Sequence, residues 1–290
     1  MVALLRTGRR PWVEYAALVE ERGNATAVLE EELGSPGGQG TLLPGLAATF
    51  DVLIENAGYD VDRWAAQGIR LVTVLDSDYP PNLRAVHDRP PMVFVAGTLA
   101  ERDAKSVAVV GARKATPSGV EQATRIAELL VDHDYTVVSG LAAGIDTASH
   151  ATALRRQGRT IAVIGTGLAR AYPPQNAQLQ RAIANKCAVV SQFWPDSPPT
   201  RRSFPMRNAV MSGIALATVV VEASHTSGAR TQARLALAQG RPVFLLASLV
   251  ERQPWAKQCA ARPGTHVVDK PEQITNAVDR LMTSDSPLVA

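Results

Sequence analysis

Ser106-Val-Ala-Val-Val-Gly-Ala-Arg113 is a run of small and β-branched residues closed by a glycine and a basic residue, with a helical pattern following over 117–132. The same order recurs downstream. Short apolar runs stand at 136–139, 160–164, 188–191, 217–221, 242–246 and 265–268, and helical spacing fills 144–157, 176–185, 205–215 and 227–239 between them. Strands this short and this uniformly apolar belong to a sheet covered by helices on both faces. Their alternation with helices specifies an α/β fold with a Rossmann-like, doubly wound, mainly parallel sheet.

Before residue 100 the pattern is different. Helical spacing runs over 11–33, breaks at Gly34-Ser-Pro-Gly-Gly-Gln-Gly40, and resumes over 44–57 and 60–67. Two strand-like runs follow, at 69–75 and 90–96. We therefore expect residues 1–100 to form a small helical N-terminal domain with linker strands, and residues 101–290 to form the Rossmann-like domain, with a last helix near 271–282.

Composition narrows the class. Hydrophobic residues at 46% and charged residues at 20% describe an ordinary folded chain. No apolar run approaches the roughly 18 residues of a membrane span. Cys187 and Cys259 show no metal-ligand spacing and read as two buried thiols, so neither a metal nor another cofactor is expected, and the expected compartment is the cytoplasm. The net charge of +3 is unevenly spread: acidic side chains outnumber basic ones before residue 100, and the reverse holds after it, mostly through arginine. A basic half rich in forked guanidinium groups suits an anionic partner.

In open α/β sheets ligands bind beyond the carboxyl ends of the strands. Four of the strands here run into glycine-bearing turns, carrying Gly111 and Arg113, then Ser139, Gly140 and Gly144, then Gly165 and Gly167, then Ser227 and Gly228 after Glu222. Glycine lets backbone amides approach an anion, and helix N-termini add partial positive charge. Four such turns on one sheet edge point to a phosphate-bearing ligand. Taken singly, each glycine is equally a tight strand-to-helix turn, and Arg113 is equally a solvated charge. Asp146 reads as a cap for the helix beginning near Gly144, and His150 as a residue on that helix's buried side.

Known nucleotide motifs fit poorly. Gly165-Thr-Gly-Leu-Ala-Arg170 begins like the dinucleotide fingerprint but carries arginine in place of the third glycine, and no glycine-rich loop ends in Gly-Lys-Ser/Thr. Pro36-Gly-Gly-Gln-Gly-Thr41 resembles the motif of LOG-type nucleoside-phosphate hydrolases, yet it lies between helices and is expected to be a flexible loop. Arg201-Arg-Ser-Phe-Pro-Met-Arg-Asn208 is more informative, with Arg201, Arg202 and Arg207 around Phe204. Cations interleaved with an aromatic suit a single nucleic-acid strand, neutralising phosphates and stacking a base. The other reading is a solvated basic loop with Phe204 tucked into the core.

Taken in order, several pieces resemble the DprA (Smf) family of DNA-processing proteins of bacterial transformation. They are Val110-Gly-Ala-Arg113, Ser139-Gly-Leu-Ala-Ala-Gly-Ile-Asp146 with His150, Ile161-Ala-Val-Ile-Gly-Thr-Gly-Leu168, Tyr172-Pro173, Phe204-Pro-Met-Arg-Asn208, Val221-Glu-Ala223 with Ser227-Gly228, and Gly240-Arg241. Asp78-Tyr-Pro-Pro-Asn-Leu83 resembles the segment that enters the family's Rossmann domain. The resemblance implies binding of single-stranded DNA without catalysis, a homodimer, and delivery of DNA to the recombinase RecA. It implies phosphate binding by Arg113 and Arg207 and a base contact by Phe204, with Asn208 in the same element. The sequence departs from the family pattern at Gln192, at Ala209, and from Ala247 to Pro263, the last within the segment that the resemblance makes part of the dimer surface.

Two functions of different class follow. One is a single-stranded DNA binder supporting DNA uptake and recombination. The other is a nucleotide-binding sensor or nucleoside-phosphate hydrolase using the same crevice, with Glu222 as its acid/base. No paired carboxylates or activated nucleophile can be read from the spacing to support the second.

Overall fold

The computed structural model describes residues 1–34 and 44–283; the 36–41 motif lies outside the described residues. Four helices come first: α1 (Val2–Arg6), α2 (Trp12–Arg22), α3 (Ala25–Leu33) and α4 (Pro44–Ala66). The helical pattern over 11–33 is thus two helices. Gly23 takes a left-handed φ of 64°, and the Asn24 side chain caps α3 by accepting from the Thr26 amide at 2.8 Å. The helices expected at 44–57 and 60–67 are instead one, because nothing between them breaks the chain: Gly58 lies within α4.

Next come β1 (Ile69–Thr73), α5 (Pro81–Arg84) and β2 (Met92–Gly97). The alternating part then runs β3 (Ser106–Val110), α6 (Pro117–Asp132), β4 (Thr136–Ser139), α7 (Ile145–Arg155), β5 (Thr160–Val163), α8 (Ala177–Lys186), β6 (Ala188–Ser191), α9 (Ser203–Ile214), β7 (Ala217–Val220), α10 (Gly228–Ala238) and β8 (Val243–Leu246). It closes with α11 (Ala247–Arg252), α12 (Pro254–Ala260), β9 (Thr265–Val268) and α13 (Glu272–Thr283).

All nine strands form one sheet in the order β1-β2-β6-β5-β4-β3-β7-β8-β9. From β6 to β9 every pairing is parallel, and β1 and β2 add an antiparallel edge. The expected Rossmann-like, mainly parallel α/β fold is the observed one. β1 and β2 precede residue 101, so the sheet runs across the division drawn there in the sequence. The helical segment is tied to it by an aromatic cluster, with Trp12 and Trp64 from helices packed on Trp194 and on Phe94 of β2.

The chain leaves β3 toward β4, β5 and β6 on one side, then crosses back to β7 and continues to β8 and β9 on the other. Right-handed crossovers in opposite directions put the two sets of helices on opposite faces. Accordingly α6 packs against α7, and α9 against α10. The order reverses between β3 and β7, and there the turns after the two strands diverge to leave a crevice.

Candidate functional site

A cavity of about 800 Å³ occupies this crevice. Its walls are the turn after β3, the turn after β7, the start of α6, the first turns of α9, and residues from α11 and its junction with α12. A smaller cavity of about 80 Å³ adjoins it, sharing Arg113, Phe204 and Arg207 and adding Gly140, Gly165 and Tyr172.

Arg113 is exposed at the mouth. Its guanidinium carbon lies 5.2 Å from the centre of the Phe204 ring, within cation–π range. Phe204 is half-buried at the start of α9 and lies 5.6 Å, ring centre to ring centre, from Tyr172, which is 40% exposed. Cation and aromatic surface therefore meet at one place, reachable from solvent. Lys114 adds a second exposed cation on the same wall.

Arg207 is different. It is buried, and its Nη1 donates to the carbonyl oxygens of Gly140 and of Val163, the latter at 2.9 Å. Its Nε has no partner. Burial pushes the guanidinium's pKa down, while the Asp146 carboxylate favours its charged form. Asp146 is itself buried, and its Oδ2 accepts from the amides of Gly140 at 3.1 Å and Ala142 at 3.3 Å. It thus holds the β4–α7 turn by its amides and does not cap α7, whose N-cap is Gly144. Burial pushes this carboxyl up against the opposing pull of Arg207 and those amides.

His150 is buried on α7 as its helical position implies, with Nδ1 2.7 Å from Thr160 Oγ1. That hydroxyl donates to the Val137 carbonyl, so it accepts from Nδ1–H and leaves Nε2 without a partner. Burial pushes the imidazole down to about 3.

The glycines mostly serve close approach of protein to protein. A methyl group at Gly140 would overlap the Arg207 guanidinium, and one at Gly167 would overlap the carbonyls of Trp194 and Pro195. At Gly165 it would come within 2.9 Å of the Phe204 ring, and at Gly111 within 2.5 Å of Ile145. Gly144 combines a φ of 79° with a backbone carbonyl where a Cβ would stand. Gly228 alone among these six has open space, at the first position of α10, where Ser227 Oγ accepts from the Ala229 amide at 3.2 Å. Ser139 turns inward and donates to the Val109 carbonyl at 2.7 Å. Asn208 is buried and donates to the Gly228 carbonyl at 3.2 Å, fixing the turn after β7.

The structure therefore brings Gly111, Arg113, Phe204, Arg207, Asn208, Ser227 and Gly228 together at the crevice, with Gly140 and Gly165 at its annexed cavity. Arg201 and Arg202 are exposed in the turn before α9 and line neither cavity. Glu222 lines the crevice, but its Oε2 accepts from the Thr116 amide at 3.0 Å and hydroxyl at 3.2 Å, holding the start of α6. Arg252 and Gln253 also line it. No periodicity marks an element between Ala247 and Pro263 in the sequence, which leaves these two without a predicted place. Lys114 could have been found by its adjacency to Arg113. Among the described residues no group of three or more metal-ligating side chains gathers anywhere, and no helix is long and apolar enough to cross a membrane.

The family model for DNA recombination-mediator protein A matches residues 70–279. The chain is 41% identical over 181 residues to protein Smf of Synechocystis, covering 61% of this chain and 46% of that one. It is 38% identical over 174 residues to the DNA processing protein DprA of Streptococcus pneumoniae, covering 60% and 61% respectively. A putative DNA processing protein DprA of Mycobacterium tuberculosis is 30% identical over 98% of this chain and 76% of its own. This chain thus spans only about half to three-fifths of the first two relatives. Among solved structures, DprA of S. pneumoniae superposes with a TM-score of 0.67 at 29% identity, over 87% of this chain and 90% of that one. DprA of Helicobacter pylori, described for its single-stranded DNA binding mode, superposes with a TM-score of 0.64 at 22% identity, over 74% and 95%.

Proposed function

Because the chain belongs to the DNA recombination-mediator protein A family, we propose that its crevice holds single-stranded DNA and that the protein acts by binding. The observation that carries this reading is the Arg113 guanidinium laid over the Phe204 ring at the mouth of the strand-order switch. A phosphate needs the cation and an unstacked base needs the ring, and a single strand presents both within one nucleotide. In this reading Gly228 and Ser227 offer the helix start of α10 to a phosphate, and Lys114 adds charge. Arg207, Asp146, Ser139, Gly140 and Asn208 shape the site from beneath, while Arg201 and Arg202 attract the strand from outside it.

Glu222 is committed to the start of α6, which supports binding over hydrolysis. The nucleotide-hydrolase reading has no such observation in its favour. Relatives named for DNA processing and the description of the H. pylori protein support the choice of ligand. Delivery of the strand to RecA, a homodimer and a cytoplasmic location complete the proposal. Sedimentation at micromolar concentration tests the dimer, a single 31 kDa species counting against it. For the ligand, fluorescence anisotropy should show an oligonucleotide of a few tens of thymidines binding far more tightly than blunt duplex or a mononucleotide. A mononucleotide that competes at micromolar concentration contradicts it.

A further inference from the structure

Beyond the crevice, across the turn after β7, lies a second cavity of about 450 Å³. Thr226 and Ser227 line both, so the two are separated by a single turn of chain. Three arginines exposed in the single chain line this second cavity: Arg230 and Arg234, one turn apart on α10, and Arg262 beyond α12, in the segment that the resemblance places by the dimer surface. Its lining contains no Asp or Glu. Many arginines elsewhere are paired with carboxylates, among them Arg6, Arg63, Arg89, Arg125, Arg155 and Arg156. Among the described residues the three arginines of this cavity have no carboxylate partner. Arg230 donates instead to His225 Nε2 at 2.9 Å. A guanidinium only donates, so Nε2 accepts in this contact. Three cations without a carboxylate partner around one hollow suit an anion, and guanidinium forks match phosphate.

We propose that this cavity is a second phosphate site on the path of the bound strand, taking phosphodiester groups that lie beyond the base held at Phe204 and pass over Thr226 and Ser227. This inference rests on the DNA reading of the crevice and adds the direction in which the strand leaves it.

The test compares wild type, the Arg230→Ala/Arg234→Ala double variant and Arg113→Ala by fluorescence anisotropy with thymidine oligomers of about 5 and about 25 nucleotides, chosen to span the usual range of single-strand site sizes. Both double-variant positions are exposed, and circular dichroism verifies folding. The double variant should bind the short oligomer as wild type does and the long one about 10-fold more weakly, with a log–log salt slope shallower by about 1.4 for two lost contacts. Arg113→Ala should weaken both oligomers. If wild type binds neither, the DNA reading falls and this inference with it. If wild type binds both and the double variant is indistinguishable on the long one, this inference alone is overturned. It is equally overturned if the loss coincides with a fall in sedimentation mass, which assigns the face to contact between copies. Competition by inorganic phosphate that vanishes in the double variant, with no dependence on oligomer length, assigns the cavity to a free anion and also overturns it.

Discussion

The Arg113 guanidinium and the Phe204 ring lie 5.2 Å apart, one from the turn after β3 and the other from the start of α9, across a distance of 91 residues in sequence. Without DNA the cation occupies the face that the proposed base would use. In the proposed binding mode a base arriving on Phe204 displaces Arg113 from the ring and frees its fork for the adjoining phosphate, so that one nucleotide makes both contacts.

Phe204→Ala should weaken binding of single-stranded DNA about 5- to 150-fold, the equivalent of roughly 1–3 kcal/mol of base stacking. The ring is half-buried, so the melting temperature should change little. Titration and thermal unfolding of the same preparation distinguish this from a core role, which would lower stability and leave binding intact.

Arg113→Ala should weaken binding to all sequences alike and make the plot of log affinity against log salt shallower by about 0.7, the loss of one phosphate contact on a single strand. Anisotropy at four or five salt concentrations measures it. An unchanged slope would leave Arg113 without a phosphate.

Arg207 should act through stability. Its removal leaves Asp146 buried with less compensation and takes a donor from two buried carbonyls. Breaking such a buried charge arrangement costs about 3–5 kcal/mol. Arg207→Ala should therefore melt roughly 10 °C lower, and pairing it with Asp146→Asn should restore part of the loss. The sequence resemblance implies a direct phosphate ligand here; in that case Arg207→Ala would leave the melting temperature alone and flatten the salt slope.

His150 makes stability depend on pH. Its folded pKa is pushed down to about 3 by burial, against an ordinary value of 6.5, so the unfolded chain takes up a proton that the folded one refuses. The stability associated with the neutral imidazole is complete above pH 6.5 and is lost progressively as pH falls from there toward 3, at about 1.4 kcal/mol per pH unit. Asp146, whose carboxyl is pushed up, has the opposite sign as pH falls. Comparing urea midpoints of wild type and His150→Gln between pH 7 and 5 isolates the histidine. Parallel pH profiles would show that His150 does not carry this dependence.

The sheet was legible because its strands announce themselves. The runs at 106–110, 136–139 and 188–191 are buried on both faces, short, rich in valine and closed by glycine or a polar turn, the combination that separates a buried strand from a longer buried helix. The helices α11 and α12 were not legible, since Ala247–Pro263 has neither clear periodicity nor a side-chain cap; Pro254 stands in the first turn of α12, and Trp255 beside it donates to the Ala223 carbonyl at 3.4 Å. In the site, Arg113 and Phe204 could be picked from type and position. The inward roles of Ser139, Asp146 and Arg207 could not, because whether a polar side chain faces the crevice or the carbonyls beneath it depends on contacts such as Gly140 to Arg207, 67 residues apart. By residue type the glycine turns after strands suit anion cradles, yet most are places where two pieces of chain touch.

The most direct measurement is photocrosslinking of a 5-iodouracil-substituted single-stranded oligonucleotide to the wild-type protein, with the attached peptide sequenced by mass spectrometry. The account predicts attachment at Phe204, with Tyr172 as the secondary site, and its loss in Phe204→Ala. Crosslinks confined to peptides outside the crevice, with Phe204 unmodified, would contradict it.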